Sequence, residues 1–377
     1  MSFKAKHTEF TPDYHVHPGQ FLEEELEING LKQSDLAKRT GLTSKTINTI
    51  IKGNAPISPD TAVLLESVLG KPALYWLNLD AIYQLNKANN AQYKSLEKDI
   101  NLLDQIDIAG ITNNGWIKKH NNKIQQLKAL LSFFGVSTVK QLASVWTKLE
   151  VNFRTSQAYS KNHLNIMTWL RRGEILAQKI DCAPYDANSF RKSLEKCRTL
   201  TTHSFPEIEI EIQHICSKSG VAVVFVPVLK NVSTSGAAHW ISKDKALIQL
   251  SLWGKKDDKF WFNFYHEAGH ILLHGRKEQF IDSTGSSQDQ YRDEDTFFTH
   301  ELKLVEAEAD DFAANSLIPK KYFSEFVLKN KFTSKNVIDF AKQQGIAPGI
   351  VVGQLQKNEH IGWGKLNNLK KTYDFSK

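Results

Sequence analysis

The chain has 377 residues, more than one hydrophobic core usually holds, so we expect two or three domains. Its 41% apolar and 24% charged residues are ordinary for a soluble globular protein, and no apolar run is long enough to predict a membrane span. The N-terminus lacks the apolar stretch of a secretory signal, and three scattered cysteines do not predict a disulfide framework. We therefore expect a cytoplasmic protein with free thiols.

Residues 1–90 are predicted to form a domain of five short helices. Pro18 suits a first helical position, and Asn29-Gly30 is expected to end this helix. Further helices are predicted over 32–40, 44–52, 60–69 and 73–85, with glycine or proline between them.

Residues 31–53 fit a helix-turn-helix, because apolar residues face one core while Gly41 permits the sharp turn between the two helices. The second helix would present short polar and amide side chains suited to base edges, and lysines suited to phosphates. The predicted DNA-binding residues are Gln33, Thr43, Ser44, Lys45, Thr46, Asn48 and Lys52. A small helical bundle used for protein contacts is the alternative.

The segment from His17-Pro18-Gly19 through this motif to Trp76-Leu77-Asn78-Leu79 resembles the HigA/VapI antitoxins of the Xre-like group. The resemblance implies binding to a double-stranded DNA operator, normally as a homodimer, and antagonism of a toxin. The chain departs from a simple antitoxin by carrying some 290 further residues, which leaves the toxin partner open.

A helical middle region is predicted over 91–205, with helices near 116–134, 138–149 and 165–180 and a linker at 201–206. The net charge of +7 has its excess here, where seventeen Lys and Arg face nine Asp and Glu. A basic surface attracts phosphates, but solvated lysines explain the same count, so the role of the region stays open.

Residues 206–377 are predicted to form a domain with a helix near 207–217, strands at 221–228 and 246–252, and two long helices. The first long helix contains H-E-x-x-H at 266–270, with His266 and His270 one turn apart on the same side. The rest of its circumference is largely apolar, so the polar strip is expected to be buried and to bind a metal.

A catalytic zinc requires a third protein ligand, and Glu306 is the acidic residue of the second long helix that lies within its apolar stripe. His274 is the rival ligand. Asp310, one turn after Glu306, could accept a hydrogen bond from a liganding histidine. The residue that assists at the oxyanion is left open among Tyr265, Tyr291, His274 and His300.

The two segments H-E-A-G-H-I-L-L-H and E-A-E-A-D-D-F-A-A-N-S-L-I-P resemble the ImmA/IrrE family of zinc metallopeptidases. The resemblance implies one Zn²⁺ held by His266, His270 and Glu306, with Glu267 as the general base. It also implies cleavage of a regulatory protein such as a repressor.

The sequence thus predicts a mostly α, α+β protein with a helix-turn-helix domain, a helical middle region and a zincin-like domain with a small sheet and an HExxH helix. The predicted function is a DNA-binding regulator that carries a zinc endopeptidase. The alternative is a non-catalytic zinc-binding repressor or antitoxin of a toxin–antitoxin module.

Overall fold

The computed structural model describes residues 16–150, 161–275, 280–283 and 297–374. The chain divides into two compact units, residues 1–99 and residues 100–377. Within the described ranges, no helix is both long and apolar enough to cross a membrane.

Unit 1 contains five helices around one apolar core. They are α1 (Pro18–Ile28), α2 (Gln33–Thr40), α3 (Ser44–Ile51), α4 (Pro59–Leu69) and α5 (Ala73–Glu97). The core is built mainly from aliphatic side chains and closes on Trp76, which is fully buried. These five elements confirm the predicted helix-turn-helix fold, with α2 and α3 as the pair.

Local signals define most of these helix ends. Thr43 caps α3 by accepting the backbone N–H of Thr46 at 3.0 Å, and Gly41 ends α2 in the left-handed region at φ 75°. Helix α5 runs twelve residues beyond its predicted end at 85, because no glycine or proline interrupts residues 86–97.

Unit 2 contains eleven described helices and one sheet. The helices are α6 (Ile108–Asn113), α7 (Lys123–Phe134), α8 (Val139–Glu150), α9 (Lys161–Ala177), α10 (Ala187–Thr199), α11 (Phe205–Ser217), α12 (Asp257–Leu273), α13 (Phe297–Leu317), α14 (Lys320–Leu328), α15 (Ser334–Gln344) and α16 (Pro348–Lys357). Short 3₁₀ turns lie at Ile100–Gln105, Leu200–Thr202 and Asn367–Leu369.

The sheet has four strands in the order β1-β3-β2-β4. They are β1 (Val221–Phe225), β2 (Thr234–Ser242), β3 (Lys245–Leu250) and β4 (Phe280–Ser283). Strands β1 and β3 are parallel, with Val223 opposite Ile248. Strand β2 is antiparallel both to β3 and to β4, and Gly236 pairs with Leu250 on one side and Asp282 on the other.

Helices cover both faces of this sheet. Ile248 and Leu250 of β3 belong to the core that also contains α12. Gln249, which points to the opposite face, donates to the carbonyl of Trp169 in α9 at 2.7 Å. Helix α9 approaches closely because Gly173 leaves room for the Gln249 amide.

The expected middle region from 91 to 205 therefore does not form a unit of its own among the described residues. Its first residues belong to α5, and α9 supplies one cover of the sheet. The predicted linker at 201–206 is also wrong: Thr201 is buried and its hydroxyl accepts the backbone N–H of Ala347 at 3.2 Å. Strands that are buried on both faces require a helix on each face of the sheet. The sequence did not indicate which helix covers the second face.

Strands β1 and β3 lie where the sequence predicted strands, whereas β2 and β4 were not predicted. Strand β2 reads Thr-Ser-Gly-Ala-Ala-His-Trp-Ile-Ser and contains a single β-branched residue after Thr234, namely Ile241. Its small residues lack strand propensity, and β2 is hydrogen-bonded to a neighbouring strand on each edge.

Helix α7 begins seven residues later than predicted, at Lys123, because the side chain of Asn122 caps it by accepting two backbone N–H groups.

Candidate functional site

The H-E-x-x-H segment lies in the second half of α12. His266, Glu267 and His270 are all buried, because α12 packs between the sheet and α13. The two histidines are one turn apart, so both imidazoles reach the same side of the helix. Helix geometry thus places two imidazole nitrogens, each of a type that can bind a metal, together inside an apolar environment.

Helix α13 brings a carboxylate to these histidines. A β-carbon at Gly269 would lie 3.3 Å from the α-carbon of Ala309, so the small residues allow the two helices to approach closely. Glu306 consequently reaches both imidazoles: its Oε2 lies 3.2 Å from Nε2 of His266, and its Oε1 lies 3.6 Å from Nε2 of His270. Glu306 itself is 47% exposed, so the cluster opens to solvent.

The donor set fits a zinc ion in both chemistry and spacing. The two Nε2 atoms lie 3.0 Å apart, and one ligand atom of each of the three residues falls within 4.8 Å of the others. Tetrahedral zinc with bonds of about 2.0–2.1 Å separates its ligands by roughly 3.3 Å. The observed separations bracket that value, so His266, His270 and Glu306 could hold one zinc with a fourth position left for water.

Asp310 lies against the first histidine. Nδ1 of His266 lies 3.0 Å from Oδ1 of Asp310, so the ring donates there and directs Nε2 at the cluster. Burial alone would lower the pKa of His266, but Asp310, Glu306 and Glu267 together raise it well above the ordinary value. The carboxylates thus favour a positive charge at this position, which a divalent cation would supply.

The second histidine has the opposite electrostatic environment. Burial, reinforced by the neighbouring His266 and His274, lowers the pKa of His270 to about 2. Its imidazole is therefore neutral at physiological pH, as a metal ligand must be.

Glu267 lies beside the cluster, in contact with the sheet. It is fully buried, and its charge contributes to the raised pKa of His266. A β-carbon at Gly236 of β2 would lie 2.6 Å from Oε1 and 2.8 Å from Cγ of Glu267. Only glycine leaves room for the carboxylate there. Sequence reasoning missed Gly236, although the small-residue run Gly-Ala-Ala was a usable signal of close approach.

None of the other residues named for this site belongs to the described three-residue cluster. His274 follows α12 directly, and its ring lies beside that of His270, with 5.4 Å between the centroids. Its Nδ1 lies 3.6 Å from Oε2 of Glu308, and His274 is not among the three residues whose ligand atoms converge. Tyr265 donates its hydroxyl to the carbonyl of Leu194 at 2.8 Å inside the core, because it lies on the opposite side of α12. Tyr291 and the side chain of His300 lie outside the described residues.

The predicted DNA-recognition residues of unit 1 lie on α3 and at its two ends, except for Gln33, which begins α2. Thr43, Ser44, Lys45 and Lys52 are exposed, and Gln33, Thr46 and Asn48 are partly exposed. On the same helix, Thr49 donates its hydroxyl to the carbonyl of Lys45 at 2.6 Å. The opposite side of α3 is buried through Ile47, Ile50 and Ile51. The helix therefore presents one polar face, as a recognition helix does.

Together, the fold and the cluster define a two-part protein: a helix-turn-helix unit, and a second unit that holds an HExxH helix against a small sheet. Comparison with known families agrees with this division. Residues 22–76 match the family model described as helix-turn-helix, and residues 216–341 match a peptidase family model described as IrrE N-terminal-like domain.

Virulence-associated protein I of Dichelobacter nodosus is 38% identical over 74 residues, which are 19% of this chain and 68% of that protein. The uncharacterized HTH-type transcriptional regulator YddM of Escherichia coli (strain K12) is 27% identical over 74 residues, 20% of this chain and 79% of that protein. An addiction module antidote protein of a HigA family from Coxiella burnetii is 32% identical, with 22% of this chain and 92% of that chain covered and a TM-score of 0.21.

The chain therefore belongs at its N-terminus to the Xre-like helix-turn-helix family that includes virulence-associated protein I, and it carries an IrrE/ImmA-like domain of a metallopeptidase-like family at its C-terminus. Both resemblances stated from the sequence are confirmed. The roles of individual residues stay predictions.

Proposed function

We propose that this protein is a DNA-binding transcriptional regulator whose second unit is a zinc-dependent endopeptidase that cleaves a regulatory protein. The observation that carries the proposal is the cluster of His266, His270 and Glu306, whose ligand atoms lie within 4.8 Å of one another, next to the buried Glu267. The match of residues 216–341 to a peptidase family supports the same reading.

In this proposal, His266, His270 and Glu306 hold one zinc, and Asp310 keeps His266 in the tautomer that binds through Nε2. Zinc, when bound, acts as a Lewis acid that acidifies water and polarises the carbonyl of the peptide bond. Glu267 accepts a proton from the attacking water and passes it to the leaving amine. Its burial against Gly236 holds the carboxylate in one place for both transfers.

For the N-terminal unit, we propose binding to a double-stranded operator through the exposed face of α3. Lys45 and Lys52 would contact phosphates, while Ser44, Thr46 and Asn48 would meet base edges in the major groove. Gln33 and Thr43 would contact the DNA beside them. The resemblance to HigA/VapI antitoxins further suggests a homodimer on the operator and a toxin as an additional partner.

The peptidase proposal is tested by mapping new protein N-termini in a cell lysate. Purified chain is added either loaded with zinc or stripped by a chelator. We expect a small set of termini that form only with zinc-loaded protein. A lysate without any zinc-dependent terminus, treated with protein that does bind zinc, would favour the alternative of a non-catalytic zinc-binding repressor.

Asp310→Asn is expected to weaken zinc binding by about 10- to 100-fold, because a neutral amide accepts less strongly from Nδ1 of His266. Zinc affinity is measured by competition with a chelator of known affinity. Asp311→Asn on the same helix is the control, since Asp311 is exposed and lies outside the cluster. Equal affinities of the two variants would contradict the role given to Asp310.

Gly236→Ala is expected to slow cleavage about 100-fold while zinc is retained, because a methyl group would displace the Glu267 carboxylate by a fraction of an ångström or more. Zinc content and cleavage rate are measured on one preparation. Gly364→Ala, where a β-carbon meets nothing within 4 Å, is the matched control. Loss of zinc together with activity would instead show that Gly236 supports the metal cluster.

A further inference from the structure

The start of α1 and the end of α3 touch with almost no space between them. A β-carbon at Gly19 would lie 2.3 Å from the carbonyl oxygen of Ile50 and 2.6 Å from the α-carbon of Ile51. Immediately after α3, Gly53 lies in the left-handed region at φ 75°. A β-carbon at Gly53 would lie 3.1 Å from Cδ2 of His17. Gly19 therefore lies against the last turn of α3 and His17 against the residue two positions beyond it, and we call these contacts the α1–α3 clamp.

His17 makes the clamp depend on an unprotonated nitrogen. Nδ1 of His17 accepts the backbone N–H of Gly19 at 2.8 Å and so caps α1. A proton on Nδ1 would remove this acceptor and place two N–H groups against each other. The ring is 8% exposed and packs edge-on against Tyr83 of α5, with 4.5 Å between the ring centroids. A protonated ring would thus also be a buried charge.

The described groups around His17 come from α1, from the turn after α3 and from α5. Helix α1 meets it with Gly19 and the turn after α3 with Gly53, both through backbone atoms. Helix α5 contributes Tyr83 and the two charges that act on the ring, Asp80 and Lys87. Asp80 favours the protonated imidazole and Lys87 opposes it.

We propose that His17 is a positioning residue for DNA binding: its neutral imidazole closes the α1–α3 clamp and holds the recognition helix, and protonation opens the clamp. The inference rests on the proposed binding of DNA by α3. Burial, acting against Asp80, lowers the pKa of His17 below its ordinary value of 6.5. The stability that neutral His17 contributes to the clamp is therefore fully present above about pH 6.5, the ordinary pKa of histidine. It is lost as the pH falls below that value.

The consequence for DNA follows from the position of the clamp. Lys52 is the residue that follows α3 directly, and Asn48 lies one turn earlier. If α3 is held correctly in only a fraction of the molecules, the apparent affinity for DNA falls by that fraction. Mild acidification should thus weaken DNA binding before unit 1 unfolds.

The test uses the full chain and the duplex that the wild type selects from a randomised library at pH 7.5. We expect wild-type affinity to fall about three- to tenfold between pH 7.5 and 5.5. His17→Asn keeps a capping oxygen for the Gly19 N–H but does not titrate, so its affinity should change less than about twofold. His17→Phe, which has a ring but no acceptor, should bind DNA more weakly at both pH values.

A second readout does not depend on DNA. Protection of the amides of Ile50, Ile51 and Lys52 against hydrogen exchange, corrected for the intrinsic effect of pH, should fall at pH 5.5 in wild type and not in His17→Asn. His203→Asn in unit 2 is the control and should behave as wild type. Parallel pH profiles of wild type and His17→Asn in this exchange experiment would overturn the clamp. Selection of no duplex by wild type would instead contradict the DNA-binding proposal alone.

Discussion

His270→Ala is expected to reduce bound zinc from about one ion per chain to almost none. Nε2 of His270 lies 3.0 Å from Nε2 of His266 and 3.6 Å from Oε1 of Glu306, so it occupies one corner of the proposed ligand triangle. Because its pKa is lowered to about 2, the imidazole of His270 is neutral at physiological pH and can act as a metal ligand. Structural and catalytic zinc sites in proteins use three or four protein ligands, and two remaining ligands would bind too weakly to survive purification.

The measurement is zinc per chain by mass spectrometry on protein purified without a histidine tag. His214→Ala is the control, because His214 is exposed on α11 and lies outside the cluster. It should keep the wild-type zinc content. If folded wild-type protein contains no zinc and cannot be loaded with it, the proposed metal centre is contradicted, and the proposed peptidase activity with it.

Glu267→Gln is expected to keep zinc and to lose about 10²- to 10⁴-fold in cleavage rate, the range for removal of a general base. Glutamine has the same shape, so it fits beside Gly236 where the carboxylate lies, but it does not accept the proton of the attacking water. His266, His270 and Glu306 are unchanged by this substitution, so the metal is expected to stay.

The cleavage rate is followed on a protein whose zinc-dependent cut site has been mapped in lysate, with zinc content measured in parallel. Glu325→Gln, an exposed glutamate on α14, is the matched control and should cleave at the wild-type rate. An unchanged cleavage rate in zinc-loaded Glu267→Gln would contradict the assignment of Glu267 as the general base. It would not contradict the proposed metal site.

The features that were predicted correctly from sequence are those produced by local geometry. A helix places residues four apart on one side, so the pairing of His266 with His270 follows from their spacing alone. The same holds for the helix-turn-helix, where Gly41 and the cap at Thr43 define the turn within a few residues. The position of Glu306 beside the two histidines required one more step, since it is the acidic residue that lies within the apolar stripe of α13. Its role as a ligand stays a prediction.

The features that were missed depend on pairing between distant segments. Strand β2 forms because β3 and β4 hydrogen-bond to its two edges, and its own residues have little strand propensity. Helix α9 covers the second face of the sheet, with contacts between Trp169 and Gln249 that span 80 residues of chain. Thr201 is buried where it accepts a hydrogen bond from Ala347, 146 residues away.

The sequence by itself determined the helix-turn-helix, the HExxH helix, the family to which each belongs, and the helical spacing of the residues proposed to bind zinc and DNA, because these depend on short-range periodicity and on caps. Only the structure showed that the expected middle region is divided between two units. Only the tertiary structure decided that Glu267 lies against Gly236, that the histidine next to Asp310 is His266 and not His270, and that His17 lies against Gly53. Each of these contacts requires two separate elements to meet at van der Waals distance, and packing of the whole unit, rather than any local propensity, sets such distances.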